Sequence, residues 1–94
     1  MAFLLDTNII IWIGFNDRRL PKRVLDTLLS GNDSQFISVV SGWEYEQKRK
    51  LRPDQFGLPF AEIISEIPHT KLDFSFETYR YAETLPLIHR DPFD

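Results

Sequence analysis

Three observations predict an α/β domain built on a parallel sheet. Short runs dense in apolar, β-branched and aromatic residues (Phe3-Leu4-Leu5, Gln35 to Val40, His69 to Phe74) alternate with segments whose apolar residues recur at helical spacing. Glycine, proline, asparagine and aspartate punctuate the joins between them. No internal repeat or flexible linker divides the 94 residues, so residues 1–94 form one domain, long enough for a core and too short for two. Strands alternating with helices in this way pair in parallel, and three strands are expected.

The first strand, Phe3-Leu4-Leu5, runs into Asp6-Thr7-Asn8, where a carboxylate or hydroxyl can cap a helix carrying Ile9, Ile10, Ile11, Trp12 and Ile13. Gly14 and Asn16-Asp17 stop that helix. Pro21 opens a second, in which Val24, Leu25, Leu28 and Leu29 keep helical spacing and Ser30-Gly31-Asn32-Asp33 makes the exit. Gln35 to Val40 reads as the second strand, passing near Ser41 into a helix that reaches Leu51. Pro53, Gly57 and Pro59 mark a loop. Beyond it Phe60, Ile63, Ile64 and Ile67 define another amphipathic helix, His69 to Phe74 a third strand, and Glu77 to Leu85 a helix stopped by Pro86.

Composition narrows the chemistry. The absence of cysteine removes a disulfide framework, a thiolate zinc site and a cysteine nucleophile, so any metal must be held by oxygen or imidazole. The amino terminus carries no basic leader, and Ile9 to Phe15 is too short to span a bilayer, so a cytoplasmic protein without membrane association is expected. A formal net charge of -3 argues against binding nucleic acid by bulk electrostatics. RNA contact would need metal ions or a local basic patch.

In open parallel sheets the working crevice lies outside the carboxyl ends of the strands, and Asp6 and the segment Ser38 to Glu44 both follow strands. Asp6 is equally well explained as a helix cap, with Thr7 able to cap instead. Glu44, next to Trp43, falls at the edge of its helix's apolar stripe; its structural explanation is an i,i+4 pair with Lys48, worth roughly 0.2–0.5 kcal/mol. In His89-Arg90-Asp91-Pro92-Phe93-Asp94, Pro92 at a first helical position makes Asp91 the natural cap and leaves Asp94 without a structural role. Lys48, Arg49, Lys50 and Arg52 cluster at a helix carboxyl end, where the dipole favours cations, so a solvated terminus is the simpler reading than an RNA contact. His69 and His89 lack metal-ligand spacing, and Arg90 could meet a phosphate or pair with Asp91. Trp12, Trp43 and the eight phenylalanines are core or interface candidates before they are base-stacking platforms.

Three phrases give these scattered acids a common context. Phe3-Leu4-Leu5-Asp6-Thr7-Asn8, then Ile37-Ser38-Val39-Val40-Ser41-Gly42-Trp43-Glu44 followed by Lys48, then Leu85-Pro86-Leu87-Ile88-His89-Arg90-Asp91-Pro92-Phe93-Asp94 resemble, in order and spacing, the three motifs of PIN-domain ribonuclease toxins of the VapBC toxin-antitoxin type. The resemblance implies a PIN-like parallel sheet in the order 3-2-1 and a hydrolase that cleaves RNA. It implies Asp6, Glu44 and Asp94 as catalytic, metal-binding carboxylates for Mg2+ or Mn2+. Asp91 would be a supporting or capping acid. Asn8 would orient a ligand carboxylate, or simply bond to local backbone. RNA substrate, a protein antitoxin and further copies of the chain are the implied partners. Hard divalent ions take oxygen ligands, and a bound ion reverses the repulsion that a carboxylate cluster would exert on phosphate.

Family members continue past the Asp94 position into a helix and a further strand bearing a fourth acid. An incomplete domain is therefore expected, with inactivity of the truncated chain among the expected outcomes. The family's order 3-2-1-4-5 would lose strands 4 and 5, leaving the Phe3 to Asp6 strand at an exposed edge. Ile9, Ile11 and Trp12 would form an exposed patch favouring oligomers, and Asp94 would be mobile or held by another molecule. Two further functions stay open. One is a non-catalytic PIN-like module that pairs with an antitoxin or with itself. The other is a haloacid-dehalogenase-like phosphotransferase, against which Asn8 counts because those enzymes usually place a second aspartate two positions after the first.

Overall fold

The computed structural model describes residues 2–73, 75–85 and 87–88. Strand β1 (Ala2–Leu5) leads into α1 (Thr7–Gly14) and α2 (Lys22–Leu29); β2 (Ser34–Ser38) leads into α3 (Val39–Leu51) and α4 (Phe60–Ser65); β3 (Thr70–Leu72) leads through α5 (Phe76–Glu83) to β4 (Leu87–Ile88). The strands are all parallel, in the order β3-β2-β1-β4, so the chain is α/β with a parallel sheet.

The expected bare edge on the first strand does not exist. Leu87 and Ile88 of β4 pair with Leu4 and Leu5, while the other side of β1 pairs with β2, so β1 is an interior strand of a four-stranded sheet. The exposed patch expected from Ile9, Ile11 and Trp12 is also corrected. Ile9 is fully buried, and Ile11 and Trp12 pack half-buried against the core. Arg19 covers the Trp12 ring with its guanidinium 5.1 Å from the centroid. Asp17 holds that guanidinium at 2.7 Å, and the same contact lowers the Asp17 carboxyl to about 2.

The second strand ends earlier than β-propensity suggests. Val39 and Val40 are helical because Ser38, with extended backbone, accepts the Val40 amide on its hydroxyl at 3.1 Å and starts α3. A local cap outweighs the mild strand preference of two β-branched residues. The third strand is likewise shorter than His69 to Phe74, and α2 starts at Lys22 with Pro21 in the cap position. Gly31 makes the exit from α2 at a φ of 76°, where an L side chain would be strained.

The core forms where α1, α2, α3 and α4 meet the sheet, from Leu5, Ile9, Ile10, Val24, Leu28, Ile37, Tyr45 and Ile63. Gln35 is a buried polar exception in β2, and its amide donates to the carbonyls of Leu28 at 2.8 Å and Pro68 at 2.7 Å. One side chain thus ties the end of α2 to the approach to β3. Helix α1 lies so close to α4 that a methyl group on Gly14 would meet three atoms of the Ile63 side chain at 2.8–2.9 Å. Ile63 is buried and β-branched and has little room to turn aside. Gly14→Ala is therefore expected to destabilise by about 1–3 kcal/mol in a urea titration, despite alanine's better helix propensity. A stabilised variant would show that the two helices separate easily.

Candidate functional site

The carboxyl ends of the parallel strands form one rim. Leu4 pairs with Phe36, so two residues further along Asp6 and Ser38 stand at the ends of neighbouring strands; Leu5 pairs with Ile88, so β4 ends there too. Asp6 occupies the cap position of α1 with extended backbone, and its carbonyl accepts the Ile10 amide at 3.1 Å, yet its carboxylate makes no cap hydrogen bond. Thr7 does not stand in for it as the cap residue, because Thr7 is the first helical residue and is buried. The half-buried Asp6 carboxylate is thus placed at the rim without the usual occupation of a capping acid.

Glu44 arrives from the adjacent strand through α3. It lies six residues beyond the Ser38 cap, roughly 9 Å along the helix axis. It is exposed. The inward face of α3 is carried by Ser41 and Tyr45, and Glu44, three residues after Ser41, lies on its flank. The ion pair with Lys48 does not form; the pair on this helix joins Glu46 and Arg49 at 3.0 Å. Asn8 is an exposed residue within the first turn of α1, not a turn residue. Asp91 and Asp94, with His89 and Arg90, lie outside the described residues. Among the described residues no three histidine or acidic side chains gather into a metal-holding group. Asp6 and Glu44 supply the oxygen donors that a hard divalent ion prefers, but two carboxylates alone do not make a closed site.

Sequence reasoning missed the two residues that build the wall of this region. Tyr45 is fully buried among Phe56 and Phe60 and donates its hydroxyl proton to the carbonyl of Leu58. Glu46 accepts the Phe60 amide at 3.0 Å. Pro59, in the cap position of α4, has no side chain to offer those amides, so a carboxylate from α3 caps α4 from outside. That bond first, and the Arg49 pair second, hold the Glu46 carboxyl below the usual glutamate range. The only signal in sequence was a glutamate at helical spacing from an arginine, which reads as a surface pair.

The Glu46 cap has a pH signature. A depressed folded-state value means its contribution is complete above the ordinary glutamate range and is lost as pH falls through the folded value. Glu46→Ala is expected to lower stability by about 1 kcal/mol at neutral pH. The gap between variant and parent should close as pH falls below the ordinary glutamate range and through the folded value, as thermal melts across acid pH would show. A gap independent of pH would assign the effect to packing.

Between α3, α4 and β3 a groove of about 790 Å³ opens beside the rim, with Ile37, Phe60, Ile64 and Leu72 in its lining. Trp43 borders it and is 65% exposed, and Val39 is 51% exposed, so neither serves the core. His69 immediately precedes β3, with its Nδ1 2.6 Å from the Ile67 carbonyl, an ordinary local contact. No helix among the described residues is long and apolar enough to cross a membrane. No protein-family profile, curated protein or solved structure gives a match to this chain.

Proposed function

We propose that the chain is a metal-dependent endoribonuclease of the PIN-domain toxin type, acting on RNA and restrained by a protein antitoxin. The observation that carries this reading is the Asp6 carboxylate, set at the carboxyl end of an interior parallel strand and not used as a cap. Glu44 adds to it. By helical geometry Glu44 lies about 100° around α3 from Trp43, and it is not among the residues that line the β3 groove. Together with Asp94, these residues would hold Mg2+ or Mn2+, an ion that lowers the pKa of a bound water and offsets phosphate charge.

The chain's own part in such chemistry is positional. Asp6 is fixed by a strand on one side and a helix on the other, and Glu44 is borne on a helix capped at Ser38, so an acid at one strand end and an acid on the helix that follows the neighbouring strand are both carried on regular elements. Cleavage of a single-stranded RNA with added Mg2+ or Mn2+, compared between the parent chain and Asp6→Asn, tests the reading. Cleavage by the parent that the variant lacks supports it, and equal cleavage by both ends it.

The second reading is a non-catalytic PIN-like module that pairs with an antitoxin or with its own copies. Exposed Val39, Val40 and Trp43 on one helix favour it, since clustered apolar side chains often mark a protein contact. Metal-independent, stoichiometric pairing by a chain that cleaves nothing would distinguish it.

A further inference from the structure

We propose that the groove beside Trp43 is a subsite for single-stranded RNA, in which a base stacks on the indole while Lys50 and Lys71 hold the flanking phosphates. The choice of RNA rests on the nuclease reading; the site rests on residues that reading does not use. Val39, Trp43, Glu46 and Lys50 share one flank of α3 by helical spacing, and all four line the groove. Its volume of about 790 Å³ falls within the range of small-molecule sites, enough for a base and its sugar.

Charge selects the occupant. Lys50 stands on the helix wall and Lys71 on β3, and neither forms an ion pair among the described residues. Glu46 is already engaged by the Phe60 amide and Arg49, which leaves Asp73 as the acid of the lining without such a pair. A locally basic lining on a chain of net charge -3 is the patch that binding a polyanion would require. An apolar protein segment seated here would draw two ammonium groups toward burial with Asp73 as the one unengaged acid of the lining to offset them, which is costly. An exposed aromatic face flanked by cations is instead the pattern that grips unpaired bases and their backbone.

Fluorescence anisotropy of a labelled oligouridine, measured with the full chain and with divalent ions chelated, tests the subsite without involving cleavage. The parent is expected to bind. Trp43→Ala should weaken binding about tenfold or more, with Trp43→Phe retaining most of the affinity. The Lys50→Ala, Lys71→Ala double variant should reduce the slope of log affinity against log salt by about 1.4. Trp43 is exposed, so its replacement should leave the circular dichroism spectrum unchanged; if it does not, Lys71→Glu interrogates the same groove from an exposed strand position. Failure of the parent to bind, or Trp43→Ala binding as tightly as the parent, overturns the proposal. So does a Trp43→Ala effect confined to self-association or protein capture. Asp6→Asn should bind the oligonucleotide normally, so loss of cleavage with binding intact separates the fate of the nuclease reading from that of the subsite.

Discussion

Replacing Tyr45 with alanine is expected to destabilise the protein by about 3–5 kcal/mol, which is a large part of the roughly 5–15 kcal/mol typical of a folded domain. The side chain is 0% exposed, its ring centroid lies 5.9 Å from Phe56 and 5.7 Å from Phe60, and its hydroxyl bonds the Leu58 carbonyl. Removing it empties a volume bounded by two further aromatic rings and releases the loop between α3 and α4. Tyr45→Phe keeps the ring and should cost only about 1 kcal/mol, the Leu58 carbonyl losing its donor. Burial also raises the phenol above its ordinary value of 10.0, so its contribution is intact below that value and is lost as pH rises through the folded one; the phenylalanine variant lacks that alkaline loss. Urea unfolding of the two variants measures the difference. A Tyr45→Ala cost near that of Tyr45→Phe would mean that the aromatic cluster collapses around the vacancy.

Much of this architecture is legible in the sequence because its signals are local. Phe3-Leu4-Leu5 before Asp6, and the helical spacing of Val24 and Leu28, identify β1 and α2 from a few neighbouring residues. Where local signals compete, the reading slips: Val39 and Val40 favour a strand, and only the Ser38 cap turns them into helix. Leu87 and Ile88 form a strand just two residues long, set by pairing with β1 and not by any pattern of their own. The roles of Tyr45 and Glu46 depend on Leu58 and Phe60, 13 and 14 residues away, which no local spacing reveals. Exposure of Trp12 is expected only because the resemblance implies missing strands; instead it packs against the core, with Arg19 over its ring. At the rim the sequence placed Asp6 correctly after a strand, but could not show whether its carboxylate capped α1.

Asp6→Asn discriminates between those two roles, and its largest expected effect is on activity. If Asp6 were only a cap, asparagine would replace it with almost no change, because the two rank together as cap residues. In the structure the carboxylate makes no cap bond, so stability should be unchanged within about 0.5 kcal/mol, or slightly higher if the new amide turns inward to bond the α1 amides. Cleavage should nonetheless fall by at least ~100-fold. Loss of groups that merely orient a metal ligand costs about 10–100-fold, and loss of a charged ligand should exceed that. Glu44→Gln should behave alike, since Glu44 is exposed and forms no ion pair with Lys48 whose loss could destabilise α3. The decisive measurement sets RNA cleavage in Mg2+ beside urea unfolding for both variants. Activity lost at constant stability assigns both acids to the chemistry. Cleavage unchanged in Asp6→Asn at unchanged stability would return Asp6 to a capping role and remove the physical basis for the nuclease.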